Sequence, residues 1–132
     1  MRYLIDTNIV IGVTTGRNPI AARNLLNCRQ GEIGLSMIVI HELYFGAYKS
    51  DRVAFNEGQV TALLKSFTLL PFEENDARHA GDIRARLKRE GAPIGPLDTL
   101  IAGQARSRGL ILVSNNLKEF ARVPGLDVVN WE

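Results

Sequence analysis

The chain of 132 residues holds one cysteine, Cys28. No intramolecular disulfide can form, and a lone thiol suits a reducing compartment. Beside Leu25 and Leu26, Cys28 reads as a small core residue. Histidine is nearly as scarce. His41 and His79 lack the spacing of a metal-binding pair and read as ordinary surface or capping residues. His41-Glu42 would open the zinc-protease signature HExxH, but the second histidine position holds Phe45. No apolar run reaches the roughly 20 residues of a membrane helix, so no membrane partner is expected. The first hydrophobic stretch is interrupted by Asp6, unlike a secretory signal, and a cytoplasmic location is the expectation. A P-loop, a Rossmann glycine fingerprint and a G-x-S-x-G elbow are all missing; GLSMI carries Ile38 where the elbow needs glycine.

What is present fits one domain spanning residues 1–132. Hydrophobic residues make up 45% and charged residues 23%, ordinary values for a globular chain. A chain of this length buries roughly two-thirds of its unfolded surface, enough for a core without staples. The net charge of +2 says little, but its distribution says more. Twelve of the sixteen cations are arginine, gathered in ARHAGDIRARLKRE (77–90) and ARSRG (105–109). Arginine binds phosphate bidentately where lysine offers a point charge. The grouping reads either as solvated helix faces or as a nucleic-acid contact.

Periodicity predicts the element order β-α-α-β-α-α-β-α-α-β-α-β. Strands are expected over 2–5, 32–36, 67–72, 110–114 and 126–131. Helices are expected from Asp6 or Thr7, which compete as N-cap, then over 20–30, 37–50, 51–66, 75–90, 97–109 and 115–122. Strands alternating with helices imply an α/β fold, a parallel sheet covered on both faces. Ligands of such sheets bind outside the carboxyl ends of the strands. Tyr44, Phe45 and Tyr48 fall at helical spacing, with core as the default and a partner surface as the other reading. Trp131 reads as a packing anchor.

Four polar positions sit where a bland explanation is strained. Asp6 ends the first strand. Glu42 shares a helix face with Ile38 and Phe45, so it needs a partner or a cation. Asp98 follows the rigid IGP turn, where an aspartate is also favoured by the helix dipole. Asn115 and Asn116 follow the strand LILVS, and one of them is expected to cap a helix. Were Asp6, Glu42 and Asp98 to converge, each pair of charges 4 Å apart would repel by about 4 kcal/mol at an effective dielectric near 20. Such a cluster takes up protons or binds a cation, and oxygen-only donors favour Mg²⁺ or Mn²⁺. That is a phosphoryl-transfer site, and with arginine-rich helices the natural substrate is a nucleic-acid backbone. Arg78, Arg86 and Arg89 share one helix face and could hold flanking phosphates.

LIDTN, HELYFGA, GAPIGPLDTLIAGQARSRGLILVSNNLKEFARVPGL and the terminal NWE together resemble the PIN-domain ribonucleases, and within them the VapC toxins of toxin–antitoxin pairs. The resemblance runs from about residue 2 to 131. It implies a PIN-like three-layer α/β/α sandwich around a central, mainly parallel twisted sheet. It assigns Asp6, Glu42 and Asp98 to an acidic quartet whose fourth position, often aspartate, falls on Asn116. Asn115 and Glu119 are further possible members, though Glu119 could be only a solvated helix residue. Thr7, Asn8 and Ser114 match polar positions beside the site. The resemblance implies a Mg²⁺- or Mn²⁺-dependent endoribonuclease that halts translation, with the initiator tRNA anticodon stem-loop as a plausible target. It implies a homodimer and a VapB-type antitoxin partner, with DNA contacted only through the antitoxin. Two rival enzymes fail on the residues: a haloacid-dehalogenase phosphatase needs a second aspartate where Asn8 stands, and a response-regulator receiver needs paired acids near the first strand. The alternative from another class is a non-catalytic PIN-like interaction module, against which stand the three surviving carboxylates.

Overall fold

The structure, a computed structural model, describes residues 1–29 and 31–131. Gln30, the expected end of the second helix, and Glu132 of the terminal NWE lie outside the described residues. The chain runs β1 (Tyr3–Ile5), α1 (Thr7–Thr14), α2 (Pro19–Asn27), β2 (Ile33–Ser36), α3 (Met37–Tyr48), α4 (Val53–Leu64), β3 (Thr68–Leu70), α5 (Glu74–Arg89), α6 (Pro96–Ser107), β4 (Ile111–Val113), α7 (Leu117–Phe120) and β5 (Val128–Val129). Element order matches the expectation throughout. The strands are shorter than read, most of all β5, because only their centres complete the ladder. No helix among the described residues is long and apolar enough to cross a membrane.

The five strands form one sheet in the order β3-β2-β1-β4-β5, with every pairing parallel. Helices cover the sheet, α1 packing on α2 and α3, α3 on α4, and α5 on α6, which makes the layered α/β arrangement expected of parallel strands. Leu4, Ile5, Leu35, Leu112 and Val113 are buried completely, as strands covered on both faces require. Trp131 packs edge-on against Tyr3 with ring centroids 5.0 Å apart, the anchor role expected of it.

The sheet order reverses between β1 and β4, so the switch point of the fold lies between Ile5 and its register partner Val113. Clefts form at such points beyond the strand carboxyl ends. Asp6 and Ser114 are the next residues of those two strands.

Helices α5 and α6 pack closely because Gly103 has no side chain. A Cβ there would lie 2.6 Å from the backbone nitrogen of Ala80. Gly91, at φ 69°, turns the chain after α5 toward the loop that enters α6.

Two apolar expectations change. Phe45 is 59% exposed and Tyr48 55% exposed, so the core default fails for both; they lie on the solvent side of α3. Tyr44 is partly buried, stacks on Tyr48 and bonds the Thr61 hydroxyl. No residue of α4 is fully buried, and its inner face instead lines an open groove of about 600 Å³ shared with α1 and α3.

Candidate active site

Asp6 is the N-cap of α1, settling the choice between it and Thr7. Its Oδ1 accepts the Thr7 backbone N–H at 2.8 Å, and its Oδ2 accepts the Ser114 hydroxyl at 2.8 Å. Only 5% of Asp6 is exposed. Burial pushes its carboxyl up, the bonds from Ser114 and Thr7 oppose this, and the charge of Glu119 adds to the rise. Ser114, fully buried on β4's exit, also accepts the Asn116 backbone N–H at 3.0 Å. One hydroxyl thus joins the ends of β1 and α7.

Glu42 projects from α3 toward the same point, where the Thr7 hydroxyl donates to its Oε1 at 2.9 Å. The partner demanded by its apolar helix face is therefore a residue adjoining Asp6. Asp98 lies in the first turn of α6, against Gly95 of the entering loop. Its carboxyl is pushed up to about 7 by burial first, then by the charge of Asp6, a hydrogen bond with Glu119, and the charges of Glu119 and Glu42. Asp6, Glu42 and Glu119 thus each act on Asp98, and Glu119 acts on Asp6 as well.

Glu119 is the acid that sequence reasoning left open, with Asn116 placed in the fourth position. In the structure Asn116 makes no side-chain cap bond to α7. Its amide donates to Glu119 Oε2 instead. The Asn116 amide thus holds a carboxylate one turn later in the chain. The i, i+3 spacing of the two residues was the available signal.

The arginine-rich segments divide. Arg106 is tied to Asp82 at 2.7 Å, to His79 Nδ1 at 2.8 Å and to the Pro124 carbonyl at 3.0 Å. Arg108 grips buried Asp76 at 2.9 Å and the Pro71 carbonyl at 2.7 Å. Burial alone would raise Asp76, but bonds from Arg108, Ser107 and the Glu73 N–H outweigh it and hold the carboxyl below its ordinary value. Both arginines of 105–109 therefore bind α6 to its neighbours. Of the proposed phosphate contacts on α5, Arg78 pairs with Glu74 at 3.7 Å and Arg86 with Asp82 at 3.1 Å, while Arg89 stands exposed.

The PIN-domain family model matches residues 3–126. The chain belongs to the PIN-domain family. Within it the similar proteins are VapCs. It is 40% identical over 131 residues to the tRNA(fMet)-specific endonuclease VapC of Shigella flexneri, covering 99% of this chain and 98% of the relative. It is 43% identical over 131 residues to ribonuclease VapC2 of Haemophilus influenzae, with the same coverage. The PIN domain superposes on the DNA-bound VapBC structure from Salmonella typhimurium with a TM-score of 0.90 at 37% identity, covering 100% of this chain and 99% of that one. Against VapBC2 of Rickettsia felis bound to a promoter DNA fragment, the TM-score is 0.90 at 31% identity with full coverage of both chains.

PIN domains imply a divalent cation. Among the described residues, no three acidic, histidine or cysteine side chains already close around one point as ligands; protons and hydroxyls hold them as they stand. The donor set nonetheless fits a hard cation. All four groups are carboxylates, and Asp98 is raised to about 7 by burial first and then by negative neighbours that a positive ion would satisfy.

Proposed function

We propose that this PIN domain is the toxin of a VapB–VapC pair, a cytoplasmic endoribonuclease that needs Mg²⁺ or Mn²⁺. The observation that carries the reading is the gathering of Asp6, Glu42, Asp98 and Glu119 at the β1/β4 switch point. An interaction module has no use for four mutually repelling carboxylates, so that alternative gives way.

Asp6 and Asp98 would hold the cation, with Glu42 and Glu119 completing its surroundings. When bound, the ion supplies Lewis acidity toward the phosphate oxygens and the attacking water. Ser114 and the Thr7 N–H fix the orientation of Asp6, so the carboxylate meets its load without rearranging. Thr7 occupies one oxygen of Glu42 and leaves the other open to take a proton from the attacking water. Asn116 keeps Glu119 turned inward. Attack in line at phosphorus breaks the bond to the leaving oxygen and gives a 5′-phosphate and a 3′-hydroxyl. Arg89, with Arg78 and Arg86 behind their helix partners, remains a candidate for distal phosphates.

The fine target follows the Shigella relative's name, tRNA(fMet), and the cut in its anticodon stem-loop follows the resemblance read in the sequence. The antitoxin fits the groove of about 600 Å³ walled by Ile11, Leu43, Ala47, Val60 and Leu63, which has Glu42 at its edge. An amphipathic segment lying there would cover the acids. Exposed Phe45, Tyr48 and Phe55 leave apolar surface for a second copy of the chain, and DNA is reached only through the antitoxin. Incubating the purified protein with total tRNA, in Mg²⁺ and in EDTA, tests the reading. Cuts at one anticodon loop that vanish in EDTA and with Asp6→Asn are expected; cleavage that survives both would refute it.

A further inference from the structure

Resting on the ribonuclease reading, we propose that the cavity walled by Arg84 and Lys88 is a substrate subsite, which holds a backbone phosphate of the RNA next to the one that is cut. The cavity measures about 350 Å³ and is closed by Pro93, Ile94, Pro96 and Thr99. Its position makes the case. Residues 93–96 are the loop that enters α6, and Gly95 of that loop lies so close to Asp98 that a Cβ there would come 3.3 Å from Oδ2. Thr99 is the residue after Asp98. The loop and first turn of α6 that line the cavity thus also carry Asp98.

Charge points the same way. Arg78, Arg86, Arg106 and Arg108 each have an acidic partner within 4 Å, at 3.7, 3.1, 2.7 and 2.9 Å. Among the described residues Arg84, Lys88 and Arg89 have none and are exposed, and of these only Arg84 and Lys88 line the cavity. They lie one turn apart on α5, where like charges weaken a helix. A polyanion approaching four carboxylates meets repulsion, and an unneutralised cation pair beside them offsets it. Arg84 offers a forked donor and Lys88 a mobile point charge. Two prolines and a buried threonine bonded to the Gly95 carbonyl at 2.9 Å stiffen the opposite wall. From the far side, Arg122 holds the Pro93 carbonyl at 3.1 Å. The subsite is preformed, so little order is lost when phosphate enters.

The test is the double variant Arg84→Gln, Lys88→Gln, with Arg23→Gln, an exposed cation of α2, as control. Steady-state cleavage of a labelled RNA should show KM raised about tenfold with kcat nearly unchanged. In an Asp6→Asn background, where RNA survives, the slope of log affinity against log salt should fall by about 1. The control should match the parent in both, and melting curves should coincide. An unchanged KM and salt slope, while the parent enzyme cleaves normally, would overturn the subsite alone. Unchanged RNA binding with lost binding of a poly-glutamate peptide would also overturn it, by giving the cavity to an acidic protein segment. A parent protein that cuts no RNA would remove the ribonuclease reading and this proposal with it.

Discussion

Asp98→Asn should make the protein more stable and inactive at once. The folded protein keeps the Asp98 proton to about pH 7, whereas an ordinary aspartate releases it near 3.8. Across that interval the folded state binds more protons than the unfolded chain. The stability governed by this group is therefore greatest below about pH 4, falls as pH rises toward 7, and levels off above. A rise from 3.8 to about 7 represents about 4 kcal/mol between the two protonation states at full weight. The side chain is partly open to solvent, and screening reduces this to about 2 kcal/mol. Asparagine keeps the shape and can still donate to Glu119, but it never ionises. At pH 5, a little over a third of the way through that interval, the variant should melt higher by about 3 °C. At pH 8, in EDTA, the variant should melt higher by about 8 °C, taking about 4 °C per kcal/mol for this size. Adding Mn²⁺ should then raise the wild type and leave the variant nearly still, because a bound ion stabilises only the state that holds it. Differential scanning calorimetry at the two pH values measures all of this. A variant that melts below wild type at pH 8, or a difference independent of pH, would refute the reasoning.

Four other substitutions probe different parts of the account. Gly103→Ala forces a methyl group to 2.6 Å from the Ala80 backbone and should cost about 3 kcal/mol in urea unfolding, by prising α5 from α6. Ser114→Ala removes a bond that holds the Asp6 carboxyl down; the acid limb of the pH–rate profile should move to higher pH, and the maximal rate should fall about tenfold. Glu119→Gln should reduce cleavage about 100-fold, whereas Asn116→Ala, which removes only the orienting amide, should cost about tenfold; equal losses, or the reverse order, would return the fourth position to Asn116.

The architecture was legible because each element carries its own periodicity and its own punctuation. IGP sets the start of α6, and Gly91 and Gly109 close the helices before them. Three of the four acids were legible because each contradicts its surroundings: a carboxylate at a strand end, one on an apolar helix face, one after a stiff loop. Glu119 has no such contradiction. Its one signal, the i, i+3 spacing to Asn116, falls in a four-residue helix, too short for a face to be read, and only the fold brings it to Asp98. The exposed aromatics of α3 escaped for a related reason. A stripe of Tyr44, Phe45 and Tyr48 marks an apolar face but does not say whether this chain or another covers it. The arginines of 105–109 were misleading because their partners, Asp76 and Asp82, are more than twenty residues away.

The central claim is that four carboxylates brought together at one sheet switch point share a divalent ion. Anomalous diffraction from crystals of the protein grown with Mn²⁺ tests it most directly. A peak is expected between Asp6 and Asp98, with Glu42 and Glu119 around it and Asn116 outside the coordination sphere. A fully active preparation whose crystals bind Mn²⁺ elsewhere, or nowhere, would contradict the account.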